Sequence, residues 1–339
     1  MSETRLKFRH QREILTLEVV YKLYHLRQVE TGDRKTMKRC ILQSVVSFFP
    51  VIFLFMLQPI QAEDTTPPIP NAPGAEFRQL NQRLFEAAKM GYEEEVLTYL
   101  NAGASVKGRD RFGNTALLLA ARTNKKKSVS ALLRAGSDIN QQNLIGSTAL
   151  LRAAIARRWK VAKLLVQNGA EINLSNNKGL TPLIAASFNG DLRLFEFLLT
   201  KGADAKVTDN TGKSATIYAA ARGDSEIVKI LLDLGTNINA SYGNNLTALM
   251  WAAGYSNDVP AIEGQQTVKL LLQRGANVNI QDNRGWTALA IAAERGHLGV
   301  VKLLLAAHAD PKLRSKDGKT PYVLAYRARH HTVAELLRP

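Results

Sequence analysis

A period of 33 residues runs through most of this chain and constrains its fold more than any other feature. A Thr-Ala-Leu step recurs, and its first residue marks the phase. The markers are Thr115, Thr148, Thr181, Ser214, Thr247, Thr287 and Thr320. They are 33 residues apart, except that 40 residues separate Thr247 from Thr287. Such a period predicts a stack of similar units instead of one globular core.

A glycine 21 residues after the marker is the second landmark of the unit. It is present as Gly136, Gly169, Gly202 and Gly235, and Gly103 holds the same phase in a degenerate first unit. Gly275 is displaced by seven inserted residues, and His308 stands in place of the glycine after Thr287. Eight units are therefore visible, of which the first and last are incomplete. We name each unit by its marker.

The residues of one unit predict two helices and a turn. Thr-Ala-Leu and the alanine pair after it suit a short first helix that a neighbour can approach closely. An apolar stretch such as residues 161–165 suits a second helix that is buried on most sides, and the glycine after it suits a left-handed closing residue. The Asp-x-x-Gly of residues 110–113 predicts a protruding turn, the finger.

The motifs Gly-x-Thr-Ala-Leu, Ala-Ala, Gly-His and Leu-Leu-Leu-x-x-Gly-Ala-x-Val-Asn at these offsets resemble the ankyrin repeat. The resemblance covers roughly residues 78–338. It implies an all-α solenoid over residues 78–339, built of about eight helix-turn-helix units with finger loops and capping repeats. Stability would come from neighbouring units that stack on one another.

The front of the chain has a different composition. Residues 37–62 resemble a secretory signal, with a Met-Lys-Arg start, an apolar core and a small-residue end. Residues 63–77 form a proline-rich linker. Residues 1–36 have two explanations. Translation starts at Met37, which we favour, or residues 1–36 are a cytoplasmic leader and the apolar core is an uncleaved anchor.

Both explanations place the repeats outside the cytoplasm. A glycan on the sequon at Asn245 would crowd the next unit, so a bacterial periplasm is expected, with anchoring to the inner membrane as the alternative. The one cysteine, Cys40, precedes the repeats, which excludes a disulfide framework and a thiolate metal site. The formal charge of +16 favours acidic partners.

No catalytic constellation and no cofactor motif is visible in the repeats. His297 fills the Gly-His position, where a hydrogen bond that braces a turn is expected. His330 and His331 lack a third ligand at helical spacing, so no metal site is predicted.

Six cations share one phase in adjacent units, the turn between the two helices. They are Lys125, Lys126, Lys127, Arg157, Arg158 and Lys160. Stacked helices lie roughly 8–10 Å apart, so these side chains should form one basic edge. The edge would contact anionic lipid, an acidic protein or, least favoured, nucleic acid; otherwise it is a solvated charge run. The insertion at residues 256–264 predicts a long turn whose role stays open.

Ankyrin-like proteins bind partners with the positions four, three and one before the marker and seven and eight after it. Here those positions carry Arg111, Phe112, Arg122, Leu144, Ile145, Lys178, Leu180, Phe188, Lys213, Arg222, Leu246, Tyr255, Arg284, Trp286 and Arg295, together with Ile155. Large apolar groups alternate with cations, a composition typical of binding hot spots. Ile155 and Phe188 have the alternative of packing against the next unit.

The sequence therefore predicts a monomeric, non-catalytic module that binds an acidic or mixed protein partner through a concave finger and inner-helix face. The alternative is a membrane-surface scaffold that uses the basic edge and an uncleaved N-terminal anchor.

Overall fold

The computed structural model describes residues 74–255 and 260–339. The N-terminal extension, the predicted signal and residues 63–73 of the predicted linker lie outside the described residues, as do residues 256–259 of the insertion. In the described part, no helix combines the length and the apolar character needed to cross a membrane.

The described residues form sixteen helices, arranged as eight pairs, and one two-stranded sheet. The first helices are α1 (Ala75–Met90), α3 (Ala116–Arg122), α5 (Ala149–Ile155), α7 (Pro182–Asn189), α9 (Ala215–Ala221), α11 (Ala248–Ala253), α13 (Ala288–Arg295) and α15 (Pro321–Arg327). The second helices are α2 (Glu93–Asn101), α4 (Lys126–Arg134), α6 (Trp159–Gln167), α8 (Leu192–Thr200), α10 (Ser225–Asp233), α12 (Ala261–Gln273), α14 (Leu298–Ala306) and α16 (His331–Leu336). The predicted all-α solenoid is confirmed.

The marker residue is the N-cap of each first helix from α3 onward. Six of the seven markers accept a hydrogen bond from the backbone N–H three residues later, as Thr148 does from Leu151 at 3.2 Å. Ser214 makes no such bond. A threonine oxygen at the N-cap satisfies a helical N–H that has no partner within the helix. The repeated threonine therefore fixes where each first helix begins.

One hydrophobic core runs along the whole stack, from Leu84 to Leu337. Ala153 and Ala154, the alanine pair of α5, are fully buried. Their small side chains allow α5 to contact both α3 and α7, and the second helices contact one another in the same way. Each unit thus buries its apolar surface against its neighbours, which is the stacking that the repeat predicted.

The closing position after each second helix from α2 to α14 has the left-handed backbone that the sequence predicted. Gly136 has φ 84°, and His308 adopts φ 61° although it has a side chain. Asn124 and Arg157 replace glycine in the turn between the two helices and are also left-handed, at φ 66° and 57°. A non-glycine residue in this region carries strain of roughly 1–2 kcal/mol.

The Thr247 unit departs from the predicted pattern in two ways. Its finger contains an antiparallel hairpin of β1 (Ser241–Tyr242) and β2 (Leu246–Thr247). The insertion was predicted to be a turn throughout, which is wrong for its last residues, because α12 begins at Ala261. Gly264 of α12 packs so closely on Tyr255 that a Cβ there would lie 2.2 Å from the ring. The insertion therefore lengthens the second helix.

At the other end of the chain, α1 begins inside the predicted linker of residues 63–77.

Candidate functional site

Five of the seven fingers are held by an Asp or Asn five residues before the marker; Tyr242 and Ser315 hold this position in the Thr247 and Thr320 units. The Asp110 carboxylate accepts hydrogen bonds from the backbone N–H groups of Phe112 and Asn114, both at 2.8 Å. The same pair of bonds is made by Asn143, Asn176, Asp209 and Asp282. This confirms the predicted turn chemistry. We call the exposed residues four and three before the marker the finger tip, and the residue one before the marker the finger base.

Backbone hydrogen bonds join the tips of successive fingers. In each, the N–H four residues before one marker donates to the carbonyl three residues before the preceding marker. The bonds join Leu144 to Phe112 (3.2 Å), Asn177 to Ile145 (3.0 Å), Asn210 to Lys178 (2.9 Å), Asn283 to Asn244 (2.8 Å) and Lys316 to Arg284 (2.8 Å). The tips therefore form fixed rows.

Only the tips of the Thr115 and Thr148 units carry large apolar side chains. Phe112, Leu144 and Ile145 are 57%, 67% and 54% exposed. The Arg111 guanidinium lies 4.8 Å from the centre of the Phe112 ring, and Arg122 on α3 is also exposed. These two fingers thus present apolar tips with cations beside them, as the sequence predicted.

Arg152 on α5 belongs to the same face but was missed by the sequence reasoning. Burial and the neighbouring Arg122 charge lower the pKa of Arg152, although Asp110 acts in the opposite direction. The signal was its position four residues after the N-cap, which lies on the same helix face as the positions seven and eight after it. Tyr218 holds the corresponding position on α9.

In the Ser214 unit the side chains of the same face contact one another. The Lys213 ammonium lies 5.7 Å from the Tyr218 ring centre and 5.2 Å from that of Tyr242. The Tyr218 hydroxyl donates to Asp209 at 2.6 Å, and burial together with this bond raises the pKa of Tyr218. The Phe188 ring packs edge-on against Tyr218 at 5.7 Å, while Phe188 stays 39% exposed.

The predicted residues at finger bases and at Tyr255 are less accessible than expected. Leu180 and Leu246 are half-buried against the core. Trp286 is half-buried, and the Arg284 guanidinium lies 4.3 Å from its ring centre. Tyr255 is only 7% exposed and stacks on His297 at 3.9 Å, so its predicted place on an exposed face is wrong. The finger bases Leu180, Leu246 and Trp286 are less exposed because each directly precedes an N-cap and packs beside the buried start of a first helix.

The remaining predicted residues differ in their exposure. Lys178 and Arg295 are exposed, Arg222 is half-buried, and Ile155 is 38% exposed. Six units contribute residues to the predicted binding face, but the exposed apolar tips are restricted to the Thr115 and Thr148 units.

His297 makes the bracing contact that was predicted. Its Nδ1 donates to the carbonyl of Ala253 at 2.9 Å. Burial lowers the pKa of His297, the Arg295 and His330 charges lower it further, and the Ala253 hydrogen bond opposes them. No group of three or more histidine, cysteine or acidic side chains suited to a metal ion is found in residues 74–255 and 260–339.

The six cations of the predicted basic edge have different surroundings in the structure. A Cβ at Gly91 would lie 2.6 Å from the side chain of Lys125, which is therefore packed there. Lys127 lies 3.9 Å from Glu93, and the Arg158 guanidinium donates to the Arg122 carbonyl at 3.1 Å. Arg157 is exposed. Lys126 and Lys160 instead line a depression on the second helices, of about 360 Å³.

Comparison with known proteins agrees with this architecture. A family model described as ankyrin repeats (3 copies) matches residues 84–176, 183–263 and 259–339. A search of curated proteins found no match. The match spans nearly all of the helical stack, which is the region with the 33-residue period, the capped first helices and the hydrogen-bonded fingers. The chain therefore belongs to the ankyrin-repeat family.

Proposed function

We propose that the finger tips of the Thr115 and Thr148 units bind a protein segment that carries both acidic and apolar side chains. The observation that carries the proposal is the row of exposed Phe112, Leu144 and Ile145. The backbone bond between Leu144 and Phe112 holds the row in place before any partner arrives. A preformed apolar surface loses little conformational entropy on binding, which favours affinity.

The charges beside this row define the partner further. Arg111, Arg122 and Arg152 have no carboxylate within 4.0 Å among the described residues. A partner with aspartate or glutamate next to its apolar residues would pair with these guanidinium groups. Such complementarity mainly contributes specificity and a faster association rate.

The family supports the coarser part of this proposal. Ankyrin repeats are generally protein–protein interaction modules and are typically not enzymes. The function proposed here is accordingly capture of a protein by a rigid surface, without a chemical step.

Selection from a random peptide display library on the full-length chain tests the proposal. The selected peptides should combine acidic residues with large apolar ones. A photoreactive phenylalanine analogue at Phe112 should crosslink to these peptides. The same analogue at Tyr326, which is 60% exposed in the last unit, should not. Crosslinking at Tyr326 in place of Phe112, or selected peptides without acidic residues, would contradict the proposal.

We also propose that the chain is exported and that the repeats act outside the cytoplasm, on the evidence of the signal-like residues 37–62. Protein recovered from its own host should begin at Glu63. An intact mass that retains residues 1–62 would favour the anchored alternative, and recovery from the cytoplasm would contradict both.

A further inference from the structure

A depression on the second helices, outside the finger site, is lined by basic and aromatic side chains. It is lined by Lys126 at the start of α4, by Trp159, Lys160 and Lys163 along α6, and by Arg193 at the start of α8. We call these five residues the Trp159 patch. The finger tips are formed by different segments of the chain, so this is a second surface.

Trp159 fixes the geometry of the patch. The Phe197 ring of α8 meets the Trp159 ring edge-on, with 5.0 Å between the ring centres. The Arg193 guanidinium lies 4.5 Å from the centre of the Trp159 ring. A cation held over an indole face is stabilised by the ring quadrupole and keeps its N–H groups available for an anion. Trp159 therefore orients one of the four cations.

Within residues 74–255 and 260–339, the four cations have no intramolecular counterion. None of them lies within 4.0 Å of a carboxylate in the described part of the chain. By contrast, Arg134 and Lys229 on second helices, and Arg274 at the C-cap of α12, each lie 2.6–3.3 Å from a carboxylate. Helices α4 and α6 contain no acidic residue, and Glu196 is the one acid on α8. The patch thus concentrates positive charge that no carboxylate of the described residues neutralises.

The surrounding sequence adds further positive charge to that of the patch. Between Asp110 and Glu171 the chain has eleven basic residues and a single acidic one, Asp138. The basic residues are Arg111, Arg122, Lys125, Lys126, Lys127, Arg134, Arg152, Arg157, Arg158, Lys160 and Lys163. Two adjacent units therefore carry most of the excess charge of the molecule.

We propose that the Trp159 patch docks onto the phosphate headgroups of an anionic lipid bilayer. Clusters of four or more lysines and arginines on a helical surface are attracted to anionic lipid, and tryptophan is enriched at the membrane–water interface. Three of the four cations are lysines on long exposed chains, which suit a fluid layer of headgroups better than a single partner with fixed geometry. The apolar finger tips stay available for a protein, so the chain would hold that protein at the membrane.

The test uses the full-length chain and two kinds of vesicle, phosphatidylcholine alone and phosphatidylcholine mixed with phosphatidylglycerol. The measured quantity is the ratio of the partition coefficients for the two kinds of vesicle. Any contribution of the apolar residues 41–57 enters both coefficients and therefore cancels in the ratio. The wild-type chain should prefer the anionic vesicles by about 100-fold or more at low salt, and the preference should fall as salt rises.

Two matched triple variants separate the patch from net charge. Lys126→Gln/Lys160→Gln/Lys163→Gln should abolish most of the preference. Lys229→Gln/Lys269→Gln/Lys302→Gln removes the same charge from exposed positions of later second helices, and should change the ratio by no more than about threefold. In amine acylation of the wild-type chain, anionic vesicles should protect Lys163 and leave Lys302 reactive.

Equal losses in the two triple variants would overturn the proposal in favour of general charge attraction. So would the absence of any preference for anionic vesicles, which would leave the patch to an acidic protein. Full competition by free glycerol phosphate would reassign it to a soluble phosphate ligand. None of these outcomes affects crosslinking at Phe112, so the finger site and the patch fail independently.

Discussion

The finger tips of the first complete units and the finger bases of the later units both carry large apolar side chains, but their surroundings differ. Phe112, Leu144 and Ile145 project from turns and are more than half exposed. Leu246 and Trp286 stand next to helix N-caps and are half-buried. A difference of two or three residues within the repeat therefore decides whether an apolar group is available to a partner or contributes to folding.

The largest expected effect is a loss of stability at Tyr255, which the sequence predicted to be exposed and which the structure buries. Tyr255→Ala removes a ring stacked on His297 and packed against Gly264, so the free energy of unfolding should fall by about 3 kcal/mol or more. Chemical denaturation measures this loss. Phe112→Ala is the control and should cost less than about 1 kcal/mol. A loss of similar size in both variants would remove the distinction between the two regions.

Trp286→Ala tests a finger base directly. Trp286 is half-buried, so we expect the free energy of unfolding to fall by roughly 1–2 kcal/mol. The affinity for peptides selected on the wild-type chain should change by less than about threefold, because Trp286 lies outside the two units with apolar tips. Titration calorimetry measures the affinity. A large loss of affinity with unchanged stability would extend the binding face to the later units.

His308→Gly tests the left-handed closing position that follows the second helices. The variant should raise the free energy of unfolding by about 1 kcal/mol, because glycine adopts positive φ without strain. Gly136 occupies the same phase, and a Cβ there would meet no atom within 4 Å. Gly136→Ala should therefore lower stability by a similar amount through strain alone. If His308→Gly is neutral or destabilising, His308 makes a compensating contact.

The smallest expected effect is a pH dependence in the buried part of the later units. The pKa of His297 in the folded chain lies below its usual value near 6.5, so the unfolded chain takes up the proton first as pH falls. The stabilisation is complete above about pH 6.5 and is lost as pH falls toward the folded pKa. His297→Gln should flatten the melting temperature against pH in this window, and His331→Gln, at an exposed residue, should not. Identical profiles in the two variants would show that another group titrates.

Much of the fold was predictable because its determinants are local. The period, the turn made by residues such as Asp110, and the left-handed closing residues follow from a few neighbouring positions, and each was confirmed. The N-cap role of the threonines was also readable from their place before an apolar run.

Accessibility was less predictable because it depends on contacts between units. Tyr255 is buried by His297, which lies in the next unit. The Trp159 patch requires Trp159 to meet Phe197 across a unit boundary. The period shows that such residues are neighbours, but it does not show which side chains cover which.

We assign partner binding to the finger tips and stability to the finger bases. The most direct test measures thermal melting and affinity for the selected peptides on Phe112→Ala, Leu144→Ala and Trp286→Ala. We predict that the two tip variants melt near the wild-type temperature and lose about 2 kcal/mol of binding free energy, while Trp286→Ala melts earlier and binds normally. If the tip variants unfold the stack, or if they bind as tightly as the wild-type chain, the apolar tips are not the partner surface and the claim is contradicted.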